Sequence, residues 1–261
     1  MSEKVNDEDS QIIRSSVRIP VPSADYEKEA TAILEGNLII PHKNTNGIVL
    51  FAHGSGSSRH SPRNQMVAKV LNNDGLATLL VDLLTKEEEE IDVKTQKIQA
   101  KIPGLVLNKF NIKLLSRRLI SIVDWISIKN ENTCGMLVGL FGASTGSAAA
   151  LNTAAKRPNV VSAIVSRSGR PDLASQDALS AVQAPTLLIV GGSDDKKVIE
   201  INNRALLADL HNVAKKKVVT IQNATHLFEE PGTLEEVARL ASGWFRCYFL
   251  IKEHNRPNVR D

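Results

Sequence analysis

The five residues Gly142-Ala143-Ser144-Thr145-Gly146 fit the pattern G-x-S-x-G, which sets a serine hydroxyl on a sharp bend between a strand and a helix. The bend forces the serine into an unfavourable backbone conformation, and neighbours without a Cβ let strand and helix come close. The letters alone are common. Their setting is more specific: residues 136–141 (MLVGLF) are a continuous apolar run, and an Ala-rich helical stretch follows the turn. Ser144 is therefore the candidate nucleophile, with a Gly/Ser-rich turn that does no chemistry as the plainer reading.

A serine hydroxyl attacks only when a base takes its proton. Of six histidines, His226 follows the last apolar run, residues 217–222, just ahead of the final helix, and is the candidate base. His42, His211 and His254 read as solvated. The carboxylate that orients the histidine should leave another strand end between serine and histidine. Gly191-Gly192-Ser193-Asp194-Asp195 does so. Asp194 is the first candidate and Asp195 the alternative, with Asp172 and Asp177 weaker. The bland role for any of them is a turn or helix cap.

An oxyanion needs two preorganised N–H donors. Thr145, at the helix start beside the nucleophile, is expected to supply one. The loop His53-Gly54-Ser55-Gly56 should supply the other, from Ser55 ahead of Gly56, with His53 bracing the loop. Arg59, His60 and Arg63 follow that loop, and Arg167 and Arg170 follow the apolar run 160–165. Solvated or structural arginines are the default. The sharper reading makes Arg59 and Arg170 contacts for an anionic substrate group, because guanidinium forks match carboxylates and phosphates. There is no H-E-x-x-H, no paired cysteine and no His-x-His, so neither metal nor cofactor is expected.

The elements that must place these residues are short. Residues 17–21, 37–41, 47–52, 77–83, 136–141, 160–165, 186–190 and 217–222 read as strands, mostly continuous apolar runs of the kind buried on both faces of a parallel sheet. Helical stripes lie between them. One starts at Ser61-Pro62 and ends at Gly75, one carries Leu115, Leu119, Ile122 and Ile126, and one follows Ser144. Another spans residues 198–210, and the last opens with Thr233 and Glu236 spaced as a capping box. Alternating strands and helices predict an open, mostly parallel α/β sheet covered on both faces. Residues 84–110, which include the run KEEEEI, are longer than an ordinary connection. They read as a surface excursion or as a lid over the site.

With 261 residues, 42% hydrophobic and 23% charged, the chain suits one globular domain. That domain is placed at residues 15–252, between an acidic flexible tail (1–14) and a C-terminal tail (253–261). A net charge of +3 in mixed sequence gives little support for nucleic-acid or membrane binding; the partner expected from the candidate triad is a small-molecule acyl substrate. Neither a secretory leader nor an 18-residue apolar span is visible. Cys134 and Cys247 read as buried free thiols, and the whole as cytoplasmic.

These stretches resemble the dienelactone hydrolase-like branch of the α/β-hydrolases, in the group found alone or fused to a phosphoribosyltransferase domain. The resemblance rests on residues 51–64 (FAHGSGSSRHSPRN), 141–146, 166–174 (SRSGRPDLA) and 226–232 (HLFEEPG), and reaches from about residue 34 to 245. It implies the eight-stranded α/β-hydrolase fold, the triad named above and an ester or lactone substrate. No phosphoribosyltransferase domain is expected in these residues. The namesake enzymes carry a cysteine nucleophile where this chain has Ser144, so dienelactone is not carried over as the substrate. The stretch after Asp194 is about one residue longer than the family's usual spacing, which keeps Asp195 open. A non-catalytic scaffold of the same fold is the rival reading, although all three triad residue types are present. A nucleotide-binding module is weaker, because Arg59 stands where G-x-G-x-x-G needs its third glycine.

Overall fold

The computed structural model describes residues 12–24, 31–42, 45–97 and 105–255. Eight strands form one sheet: β1 (Ile13–Pro22), β2 (Thr31–Ile40), β3 (Gly47–Ala52), β4 (Ala77–Val81), β5 (Leu137–Ala143), β6 (Val161–Arg167), β7 (Thr186–Gly191) and β8 (Lys216–Ile221). Their order across the sheet is β1-β2-β4-β3-β5-β6-β7-β8. Only β1–β2 and β2–β4 pair antiparallel; the other neighbours are parallel. The predicted α/β-hydrolase architecture is therefore present. The sheet begins earlier than expected, since Ile13 and Arg14 of the supposed tail already pair with β2, while residues 1–11 lie outside the described residues.

The apolar runs are continuous because each strand serves two cores. Ile48 and Leu50 of β3 face one cluster, whereas Val49 and Phe51 face the other. Helices α1 (Pro62–Asn73) and α7 (Thr233–His254) cover the second face, and α3 (Ile112–Asp124) and α4 (Thr145–Lys156) the first. Completing the set are α2 (Lys86–Gln96), α5 (Gln176–Ala181) and α6 (Lys196–Arg204), the last continued by a π-turn over Ala205–Asp209. Helix α1 starts with Pro62 in its first turn and ends at Gly75 with φ of 85°, the left-handed stop its sequence predicts.

Several local expectations fail for identifiable reasons. The Thr233 hydroxyl does not cap α7: Gly232 holds the cap position and Thr233 Oγ1 donates instead to the Glu230 carbonyl at 2.7 Å. Helix α7 also runs on through Glu253 and His254, two residues into the expected C-terminal tail. Both cysteines are free but exposed, because Cys134 sits in the turn before β5 and Cys247 on the outer face of α7.

The run KEEEEI lies in α2, a helix inside the stretch expected to be a surface excursion or a lid. A capping box starts the helix: Thr85 Oγ1 accepts from Glu88 N–H, and Glu88 Oε2 accepts from Thr85 N–H at 2.9 Å. The Glu88 carboxylate also takes two bonds from Arg118, at 2.6 and 2.5 Å, and Arg118 is 0% exposed. Buried Asp92 accepts the backbone N–H groups of Asn108 and Lys109, each at 2.8 Å. Both ends of the described excursion are thus tied to the core, while residues 98–104 lie outside the described residues.

The sheet ends in two edge strands that differ from the interior ones. Exposed Arg14, Arg18 and Pro20 stud β1, and β8 opens with Lys216-Lys217.

Candidate active site

The turn between β5 and α4 carries Ser144 at φ 51° and ψ −121°, a conformation that L-residues hold only where the surroundings enforce it. The enforcement is visible. Ser144 N–H donates to the Arg167 carbonyl, and the Ser144 carbonyl accepts from the N–H groups of Ser147 and Arg170. Close approach requires the two glycines. A Cβ on Gly142 would meet Ser147 Cα at 2.5 Å, and one on Gly146 would meet the Ala52 carbonyl oxygen at 2.1 Å. The second contact wedges the start of α4 against the end of β3, so the elbow and the loop after β3 are packed as one unit.

That loop makes a turn in which Ser57 N–H donates to the Gly54 carbonyl at 3.1 Å. His53 holds it from behind. Its Nδ1 donates to the Gly54 carbonyl at 2.9 Å and its Nε2 accepts from Leu83 N–H at 3.1 Å. These two partners require a neutral imidazole with its proton on Nδ1. Burial pushes the His53 pKa below the ordinary histidine value, against smaller opposing pulls from the Gly54 carbonyl and Asp82. Ser55 and Gly56 lie on the rim of the Ser144 pocket. The Thr145 amide, in the first turn of α4, has no intrahelical partner.

His226 follows β8. Its Nδ1 lies 3.0 and 3.1 Å from the two carboxylate oxygens of Asp194. The acid is buried and further held: Asp195 N–H donates to Oδ1 at 2.8 Å, and Ser168 Oγ donates to Oδ2 at 2.6 Å. Asp195 itself turns away and caps α6, accepting from Lys197 N–H. Ser144 and His226 line one pocket of about 210 Å³ without a direct hydrogen bond between them, a gap common in unliganded sites. Asp172 is engaged by Arg170, and Asp177 sits in the first turn of α5.

The arginines are arranged differently from the sequence reading. Arg59 is clamped by Asp82, and by Glu35 at 2.6 Å, and it lines a separate cleft near β2 and α2. Arg170 makes two 2.8 Å bonds to Asp172, which hold the Asp172 pKa down and the Arg170 pKa up. Both guanidinium groups are paired with carboxylates of their own chain, and neither lines the Ser144 pocket. Arg63 and Arg167 line the Ser144 pocket instead.

Two features escaped the sequence reading. Ser168, with φ of 40°, gave no signal beyond its place after β6. A second cavity of about 200 Å³ lies across the same loop, walled by Leu83, Leu84, Val93 and Leu115 with His53 and Glu89. The T-x-x-E spacing of Thr85 and Glu88 would have located the helix that forms its wall. Among the described residues, no three His, Cys, Asp or Glu side chains gather as a metal-binding group, and no helix is long and apolar enough to cross a membrane.

The model of the dienelactone hydrolase family matches residues 34–254. The chain belongs to the dienelactone hydrolase family. This member is 50% identical to a dienelactone hydrolase from Anabaena variabilis, whose crystal structure matches with a TM-score of 0.76 over 90% of this chain and 98% of that one. Est1E from Butyrivibrio proteoclasticus, 15% identical with a TM-score of 0.64 over 90% of this chain and 99% of its own, shares the fold. A Mycobacterium tuberculosis protein named as a phosphoribosyl transferase is 47% identical over 241 residues, which is 92% of this chain and 46% of that protein. The family member thus spans less than half the length of the curated relatives it matches.

Proposed function

We propose that the chain is a serine hydrolase of ester-type bonds, open esters or lactones, acting through an acyl-enzyme. The observation that carries this reading is the strained Ser144 at a helix N-terminus, sharing a pocket with a histidine held on a buried carboxylate. Ser144 Oγ attacks the carbonyl carbon while His226 Nε2 takes its proton, and Asp194 keeps the other ring nitrogen protonated and stabilises the imidazolium. The N–H groups of Thr145 and Ser55 receive the oxyanion. Collapse expels the alcohol with the proton from His226, and water, deprotonated by the same base, releases the acid. The lactone half of the substrate class draws on the name of the Anabaena relative. Two exposed free thiols accord with a reducing, cytoplasmic setting.

A fluorophosphonate probe and p-nitrophenyl acetate test the reading together. The parent protein should be labelled and Ser144→Ala should not, with turnover falling by roughly four powers of ten or more. Unlabelled parent protein, or hydrolysis by Ser144→Ala at the parent rate, would leave a non-catalytic scaffold as the better description.

A further inference from the structure

His226 can serve the reaction only if the Ser144 hydroxyl and the Asp194 carboxylate meet opposite nitrogens of one imidazole ring, so their separation has to be fixed. The two leave β5 and β7, which are not neighbours: β6 runs between them, and two strand spacings amount to roughly 10 Å. The loop that leaves β6 touches both. On the nucleophile side, the Arg167 carbonyl accepts the Ser144 N–H at 3.1 Å and the Arg170 N–H donates to the Ser144 carbonyl at 3.2 Å. On the acid side, Ser168 Oγ donates to Asp194 Oδ2. Ser144 and Ser168 both hold positive φ, 51° and 40°, conformations that persist only where the surroundings enforce them.

Two buried side chains outside the Ser144 pocket grip this loop. Ser147, in α4, donates its hydroxyl to the Ser144 carbonyl at 2.7 Å and accepts the Arg170 N–H at 2.9 Å. Asn202, in α6, donates Nδ2–H to the Gly169 carbonyl at 2.9 Å and to the Val198 carbonyl of its own helix at 2.8 Å. The Gly169 carbonyl and the Arg170 N–H belong to one planar peptide unit. Asn202 therefore holds one end of a rigid plate whose other end bonds the nucleophile's carbonyl. A Cβ on Gly169 would lie 2.5 Å from Ser147 Oγ, so the loop rests directly on that hydroxyl. Asn202 Oδ1 is buried without a partner among the described residues, a cost that a leucine of similar size would not carry. The amide contributes through its donors. We propose that Ser147 and Asn202 are positioning residues, which clamp residues 168–170 so that the loop after β6 acts as one spacer between Ser144 and Asp194. Neither touches substrate; both act through the backbone of that loop. This inference rests on the hydrolase reading, and its test separates the two claims.

Labelling of the parent by the fluorophosphonate probe and its turnover of p-nitrophenyl acetate are read first. A parent that shows neither fails the hydrolase reading, and the clamp is then judged by proton NMR alone. There the His226 Nδ1 proton facing Asp194, identified by its loss in His226→Gln, should shift or broaden away in Ser147→Ala and in Asn202→Leu. In an active parent each of these variants should also lower kcat by roughly tenfold, because a misplacement of about 1 Å can cost as much as a hundredfold. KM should stay within about twofold, since neither residue lines the pocket. The double variant should lose less than the product of the two single losses, because both side chains grip the same peptide. Should Asn202→Leu not fold, Ser147→Ala and the ring proton decide on their own. Single variants with kcat within about twofold of the parent and an unmoved ring proton would overturn the clamp, whatever they do to thermal stability. Losses that multiply in full in the double variant would overturn it too, and both results leave the hydrolase reading standing.

Discussion

The hydrogen bond from Ser168 to Asp194 offers a direct test of the role proposed for that acid. Ser168 is 1% exposed, its Oγ–H reaches Asp194 Oδ2 at 2.6 Å, and its backbone sits at φ 40°. Removing the hydroxyl leaves the carboxylate with the Asp195 amide and His226, two of three contacts. A charge-assisted bond of this kind is typically worth about 1.5–3 kcal/mol. If that stabilisation acts through the orientation of His226, kcat should fall by roughly 10- to 100-fold. KM should stay near the parent value, because Ser168 is not among the residues lining the pocket. Two replacements separate hydroxyl from backbone. Ser168→Ala keeps a Cβ in the left-handed region, whereas Ser168→Gly removes that strain, worth about 1 kcal/mol. The glycine variant should be the more stable of the two in urea unfolding, with the same loss of kcat. Steady-state kinetics on p-nitrophenyl acetate decides the matter: kcat within twofold of the parent in both variants would refute the reasoning.

Asp194→Asn should cost several powers of ten in turnover, while Asp195→Ala should cost about 1 kcal/mol of stability as a lost helix cap and little activity; kinetics and urea unfolding on both variants check the ranking. Glu88→Ala strands the buried Arg118 charge and should destabilise by about 3–5 kcal/mol, whereas Glu88→Leu combined with Arg118→Met should recover most of that. A double variant no more stable than Glu88→Ala would contradict it. For His53 the folded pKa lies below the unfolded one, so its contribution to stability is full above the ordinary histidine range and is lost as pH falls towards the folded value. The parent should therefore lose more thermal stability than His53→Gln between about pH 7.5 and about pH 5.5; equal losses would mean that the brace does not titrate.

The fold was legible because periodicity and burial coincide. Every apolar run read as a strand is one, with ends off by a few residues where pairing outlasts the apolar letters, as at Ile13 and Thr31. The placement of His226 against Asp194 was also legible, since both leave strand ends on the same edge of the sheet. What failed was side-chain partnership across long sequence distance. Nothing near Arg59 announces Glu35, 24 residues away, and nothing near Arg118 announces Glu88, 30 residues away. An arginine's letter records its charge, and only the fold decides whether a carboxylate of the same chain has already claimed it. Helix α2 was missed for a related reason: its outward face is so acidic that no apolar stripe is visible, and its stability comes from the cap and the Arg118 anchor.

The terminal strands have a consequence for solution behaviour. A sheet edge presents unpaired backbone groups to any extended chain that meets it. On β1, Pro20 has no N–H to offer, and Arg14 and Arg18 keep the rim cationic; on β8, Lys216 and Lys217 do the same. Two copies meeting rim to rim would have to bring like charges together while leaving hydrogen bonds unmade. Among the described residues the sheet has eight strands, and its two outer ones carry features that disfavour the strand-to-strand growth that leads to fibres.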